Sequence, residues 1–161
     1  MSRLTITLTI NGREKTFRID PGEKLLGVLR REGYMGVKKG CGSGDCGACA
    51  ILFNGRAVNS CLVFAAKADG GTLITIEGLA RGEILHPVQI AFLEEGAIQC
   101  GYCTPGMVIA TVDLLTKNPD PTEGEIREAL AGNLCRCTGY VKQVRAVQRA
   151  AELMKGGETH V

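Results

Sequence analysis

Residues 40–49 read Gly40-Cys41-Gly42-Ser43-Gly44-Asp45-Cys46-Gly47-Ala48-Cys49, and Cys61 follows after eleven further residues. The loop cysteines stand at C-x4-C-x2-C spacing, which suits four thiolates around a 2Fe–2S core. Three thiolates on one tight loop must turn inward together, and the fourth arrives from a separate element. Four of the ten loop residues are glycine. Glycine permits positive φ and close backbone approach, so amide N–H groups can face the sulfurs as an anion nest. The alternative is a zinc site or a flexible loop with stray thiols, although zinc modules pair two C-x2-C knuckles, a pair this half lacks. Gly42-Ser43-Gly44-Asp45-Cys46-Gly47 also fits G-x-G-x-x-G, with Asp69 about twenty residues on. That fingerprint must follow a strand and open a helix, whereas here β-prone Ala50–Phe53 follows, so the match is accidental.

The remaining cysteines form a second set, Cys100-Gly101-Tyr102-Cys103 and Cys135-Arg136-Cys137, separated by 31 residues. Taken alone, this set also fits structural zinc. Its position favours another reading. Cys103 precedes Thr104-Pro105, an expected N-cap with proline in the first turn, and Cys137 precedes Thr138-Gly139, the expected start of the last helix. Helix N-termini favour anionic groups, so four thiolates there suit a cluster cycling between anionic states. Eight cysteines in a chain whose first residues show no export signal are expected to bind metal rather than form disulfides. Both histidines, His86 and His160, lie outside the cysteine clusters, which points to all-thiolate sites.

Composition sets the remaining bounds. A length of 161 residues with 45% hydrophobic and 22% charged residues excludes a disordered tail and allows one medium or two small domains. Nineteen Lys+Arg against 17 Asp+Glu leave no electrostatic footprint for nucleic acid. Apolar runs fall short of the roughly 18–20 residues of a membrane span. A cytoplasmic location is the default expectation.

Around the first loop the pattern is that of a small sheet. Leu4, Ile6, Leu8 and Ile10 alternate with polar residues, Asn11-Gly12 signals a hairpin, and Lys15–Ile19 returns. A short helix is expected over Glu23–Arg31 with Leu25, Leu26 and Leu29 inward. Ala50–Phe53, Asn54-Gly55 and Arg56–Val58 form a second hairpin, and Thr72–Ile76 a last strand. From Gly78 the period becomes helical. Leu85, Val88, Ala91 and Phe92 share a face before Gly96, and Val108, Ile109, Val112 and Leu115 share another after Thr104. Thr122-Glu123-Gly124-Glu125 is a capping box, and a last helix runs from about Gly139 to Lys155. The expected class is α+β, a mixed sheet domain over 1–77 and a four-helix bundle over 78–161.

Three blocks carry a resemblance: 40–49, then Gln99-Cys100-Gly101-Tyr102-Cys103-Thr104-Pro105-Gly106-Met107, then Gly132-Asn133-Leu134-Cys135-Arg136-Cys137-Thr138-Gly139-Tyr140. In this order, and across roughly residues 3–153, the chain resembles the small iron–sulfur subunit of the molybdenum hydroxylases. That family spans the xanthine dehydrogenase, aldehyde oxidoreductase, carbon monoxide dehydrogenase and 4-hydroxybenzoyl-CoA reductase types. Ala50, where many relatives carry Thr, is a departure that touches no ligand.

The resemblance implies a β-grasp 2Fe–2S ferredoxin-like domain followed by a four-helix-bundle 2Fe–2S domain. It implies one cluster on Cys41, Cys46, Cys49 and Cys61, and another on Cys100, Cys103, Cys135 and Cys137. It further implies FAD on a medium subunit, a molybdopterin-type molybdenum cofactor on a large subunit, and often a dimer of heterotrimers. The chain would pass electrons between those sites as part of an oxidoreductase, without a substrate site or catalytic residue of its own. Gln99 and Cys137 fall in the blocks that contact the pterin in that family. A free-standing ferredoxin and a zinc-stabilised interaction module are the competing functions. The first cluster loop is expected near the surface facing the flavoprotein, with the second set more enclosed. Bland roles are expected for His86 (helix opening before Pro87), Asp45 (a solvated turn acid), Lys38-Lys39 (a solvated face) and Met107 and Met154 (core). Arg136 faces either cluster sulfur or a partner.

Overall fold

Strand β1 (Leu4–Ile10) turns through Asn11-Gly12, both at positive φ, into β2 (Arg13–Ile19), which pairs with it antiparallel from Leu4 opposite Ile19 to Ile10 opposite Arg13. The computed structural model describes residues 3–156. Helix α1 (Leu25–Arg31) follows and buries Leu25, Leu26, Val28 and Leu29. It starts two residues later than expected, because Lys24 forms a β-bridge with Phe64 and the Leu25 N–H donates to the Val63 carbonyl. A second hairpin joins β3 (Ala50–Phe53) to β4 (Arg56–Asn59) through Asn54-Gly55. Strand β5 (Thr72–Ile74) lies between β1, which it pairs parallel, and β3, which it pairs antiparallel, giving the order β2-β1-β5-β3-β4.

The expected end of β5 at Ile76 is shortened. Thr75 leaves the ladder to bond Asn11, and its hydroxyl donates to Glu77 at 2.6 Å, so Ile76–Gly78 forms a 3₁₀ turn. Leu4 is also not inward: at the free end of β1 it is 41% exposed.

Four further α-helices follow among the described residues: α2 (Pro87–Glu94), α3 (Thr104–Lys117), α4 (Glu123–Leu130) and α5 (Val141–Lys155). His86 caps α2, its Nδ1 accepting from Val88 N–H while Gln89 accepts from the His86 N–H, which confirms a helix-opening role. Leu85 lies outside that helix and is partly exposed. The Thr122–Glu125 capping box is formed. Two expected starts shift. Cys103, not Thr104, is the N-cap of α3, because its carbonyl accepts the Met107 N–H. Gly139 and Tyr140 are both left-handed (φ +65° and +69°), so α5 cannot begin before Val141.

Strand β3 joins the two cores. Ile51 and Phe53 face the cluster of Ile6, Leu8, Ile10 and α1, whereas Ala50 and Leu52 face Met107, Ile109 and the other helices. Burial on both faces explains the continuous apolar run where β1 alternates. Met107 is fully buried in the helical core and Met154 packs at its margin. No helix among the described residues is long and apolar enough to cross a membrane.

Candidate iron–sulfur centres

The first loop leaves α1 through residues 32–40 and enters β3 at Ala50, so Cys49 is fixed by the strand while Cys41 and Cys46 hang from turns. Gly42, Gly44 and Gly47 have φ of +79°, +93° and +68°, values that point successive amides to one side. The Cys41 N–H donates to Cys46 Sγ at 3.3 Å, and the Ser43 N–H donates to Cys41 Sγ at 3.4 Å. Cys61, just past β4, is placed by the Ser60 hydroxyl, which donates to the Cys49 carbonyl at 2.8 Å, and Asn59 donates to the Gly44 carbonyl at 2.9 Å. All eight cysteines are free thiols.

Within the first set Cys46 lies beside Cys41, and Cys61 lies near both Cys49 and Cys41. Bonds from Ser43 and then Cys46 bring the Cys41 thiol down to about 6, while burial, followed by Cys49, pushes Cys61 up to about 11. Cys49 and Cys61 are 3% and 4% exposed, whereas Cys41 is open to solvent. Asp45 accepts from the Ser43 hydroxyl within the turn, in keeping with a turn acid.

In the second set Cys103 lies near Cys135 and Cys100, and Cys137 near Cys100 and Cys135. Burial and then Cys135 push Cys103 up to about 12, and its neighbour Cys100 raises Cys137. Burial also acts upward on Cys135, but the Thr138 hydroxyl at 3.1 Å and the Cys137 N–H at 3.4 Å outweigh it and leave that thiol at about 7. The Tyr140 hydroxyl accepts the Cys135 N–H at 2.7 Å, which places the ligand turn from the start of α5. Each set brings its thiols near one another with N–H or O–H donors aimed at a sulfur, and four thiolates with such donors are the chemistry that a 2Fe–2S cluster takes.

Two expectations are corrected here. Cys103 is at a helix N-terminus, but Cys137 precedes α5 by four positions and is held by a turn. The second set is also the more open one in this chain: Cys100 and Cys137 are exposed and neither partner is buried, because the ligand turns lie at the outer end of the helices. Gln99 is exposed beside Cys100, and Arg136 is exposed between its two cysteines. Sequence reasoning missed Asn133, Tyr140 and Thr138 as side chains that set the ligand turns. They lie inside a block already singled out; Thr138 and Tyr140 bond Cys135 within their own turn, whereas the Asn133 bond to Gly47 depends on tertiary placement.

A family model described as a 2Fe–2S iron–sulfur cluster binding domain matches residues 8–75, and one described as a 2Fe–2S binding domain matches residues 75–148. The chain is 49% identical to the nicotinate dehydrogenase small FeS subunit of Eubacterium barkeri, covering 94% of this chain and 98% of that one. It is 48% identical to the xanthine dehydrogenase iron–sulfur-binding subunit of Escherichia coli O157:H7, covering 89% and 92%. Among solved structures, a chain of quinoline 2-oxidoreductase from Pseudomonas putida 86 superposes with a TM-score of 0.92 at 41% identity over 98% of this chain and 99% of that one. Aldehyde oxidoreductase from Desulfovibrio gigas superposes with a TM-score of 0.90 at 39% identity, over 96% of this chain but 18% of that longer one. With 2Fe–2S family models matched on both halves and relatives matched nearly end to end, the chain belongs to the family of small iron–sulfur subunits of the molybdenum hydroxylases, the xanthine dehydrogenase type.

Proposed function

We propose that this subunit passes electrons between a molybdopterin site on a large partner and FAD on a medium partner. Cys41, Cys46, Cys49 and Cys61 hold one 2Fe–2S cluster in a β-grasp domain over residues 1–77. Cys100, Cys103, Cys135 and Cys137 hold the other in a four-helix bundle over 78–161. When bound, each cluster supplies a one-electron store. The chain's own contribution is to hold the thiolates, direct N–H groups at the sulfurs and keep the two sites in register. Substrate chemistry belongs to the large partner.

The observation that carries this reading is two sets of four cysteines on loops that touch each other, with N–H and O–H donors at their sulfurs. The exposed second set, with Gln99 and Cys137 on the same open end, is assigned to the molybdenum side, and the first loop to the flavin side. A dimer of such heterotrimers in the cytoplasm, where free thiols persist, completes the proposal. The test is metal and sulfide analysis of the purified chain with electron paramagnetic resonance after reduction. About four iron, about four acid-labile sulfide and two distinguishable signals are expected. Stoichiometric zinc without sulfide would sink the reading.

A further inference from the structure

The two ligand segments of the helical half each send one side chain back to the first cluster loop. Tyr102, between Cys100 and Cys103, donates its hydroxyl to the Lys39 carbonyl at 2.7 Å, two residues before Cys41. Asn133, two residues before Cys135, donates its Nδ2 to the Gly47 carbonyl at 3.3 Å, between Cys46 and Cys49. Between these anchors, the Leu134 N–H donates to the Cys46 carbonyl at 3.0 Å. The loop from Lys39 to Gly47 is therefore gripped at both ends by residues that flank ligands of the other set.

The grip is not incidental packing of large surfaces. Tyr102 is 48% exposed, so its ring contributes modest burial, yet its hydroxyl reaches a backbone carbonyl 63 residues away. Asn133 is buried and occupies the space that glycine leaves free: a β-carbon on Gly47 would lie 2.5 Å from its Nδ2, and one on Gly106 would lie 3.2 Å from it. The loop itself contains no helix or strand and several left-handed glycines, which is the composition of a segment that opens locally at low cost.

From this arrangement we infer that Tyr102 and Asn133 are positioning residues that fix the separation of the two clusters. The inference rests on the reading that both cysteine sets hold clusters. Electron transfer between buried carriers weakens steeply with distance, so a loop free to swing away would make the transfer rate irregular. Two hydrogen bonds at opposite ends of the loop restrict that swing, and the Leu134–Cys46 backbone bond reinforces the Gly47 end.

The test uses the full cluster-loaded chain and its Tyr102→Phe, Asn133→Asp and Asn133→Ala variants. Tyr102→Phe removes one hydroxyl and nothing else. Asn133→Asp keeps the shape but replaces the donor facing the Gly47 carbonyl, and so stands in should the void left by Asn133→Ala prevent folding. Amide hydrogen exchange over residues 40–47 should rise about fivefold in Tyr102→Phe, the worth of one hydrogen bond. The magnetic interaction between the two reduced clusters, read as broadening or splitting of their resonance signals, should weaken in the same variants with iron content unchanged. Unaltered exchange in Tyr102→Phe and Asn133→Asp would overturn the assignment. Faster exchange with an unaltered magnetic interaction would also overturn it, reducing both residues to ordinary packing. Iron analysis of the parent chain distinguishes failure of this inference from failure of the cluster reading, since loop exchange reports on the bonds whether or not iron is bound.

Discussion

Gly106, in the first turn of α3, lies so close to Gly47 in the first cluster loop that a β-carbon on Gly106 would sit 2.3 Å from the Gly47 carbonyl oxygen. This is backbone against backbone, and neither side has a flexible end to move aside. The two halves of the chain meet here at a separation that only glycine allows. Gly106→Ala should therefore destabilise the protein by about 1–3 kcal/mol, as overpacking does at a tight contact. Denaturant unfolding of the two proteins checks this, and equal midpoints with equal slopes would show that the loop yields freely.

The two sets of cysteines should be separable by mutation. Cys46→Ala removes one proposed ligand, held in the first loop by the Cys41 N–H, without touching the second set of cysteines. Iron should fall from about four to about two per chain, with one resonance signal lost and the other retained. In the assembled complex, flavin reduction should stop while molybdenum reduction by substrate continues. Flavin reduced at the normal rate by this variant would reverse the proposed order of carriers.

Much of this architecture is written in local chemistry. Asn11-Gly12 and Asn54-Gly55 specify their hairpins because both residues of each pair accept positive φ, and Thr122 with Glu125 specifies the start of α4 because each satisfies the other's N–H. The cysteine spacings place neighbouring thiols of each set near one another. What stays illegible depends on distant partners. Thr104 has the side chain of a cap, but the carbonyl of Cys103 takes the Met107 N–H, so the helix begins one residue earlier than the hydroxyl suggests. Nothing near Tyr140 reveals that its hydroxyl will meet the Cys135 N–H or that its backbone will be left-handed. The openness of Cys100 and Cys137 likewise follows from where the helices end in space, which periodicity does not encode.

The α4 capping box gives a stability prediction with a defined pH sign. The Glu125 carboxylate accepts the Thr122 N–H and hydroxyl, each at 2.7 Å, and these bonds hold it below its ordinary value of 4.5. A carboxylate depressed in the folded state stabilises at pH above its unfolded value, and the contribution fades as the pH falls through the folded one. Glu125→Gln should therefore be less stable than the parent at pH 7, with the difference shrinking below 4.5. Thr122→Ala should cost about 1 kcal/mol through loss of the N-cap. Thermal melts at several pH values test both, and a difference that grows on acidification would contradict the sign.

The open end of the helical half should be where the large partner sits. Cys100, Cys137 and Gln99 are exposed there, and Tyr102, Leu134 and Val141 on the same ligand segments leave large apolar side chains in solvent. Apolar side chains clustered beside charged and polar groups mark interaction surfaces more often than ordinary exterior. Gln99 carries both a donor and acceptors on its amide, which suits the edge of a heterocycle such as the pterin implied for the partner. In the proposed assembly the thiolate of Cys137 would accept a hydrogen bond from such a ring while binding iron, a short route for electrons between the two. Gln99→Ala should accordingly slow electron arrival at the helical-domain cluster after substrate is added, with iron content and melting temperature unchanged. Leu134→Glu should weaken association with the large partner, because a charge would replace an apolar contact, while leaving the Leu134 N–H bond to Cys46 in place. Rapid-mixing spectroscopy of the complex reads the first effect and size-exclusion chromatography the second. Unaltered internal rates in Gln99→Ala, or a complex structure with Gln99 turned away from the large partner, would refute the placement.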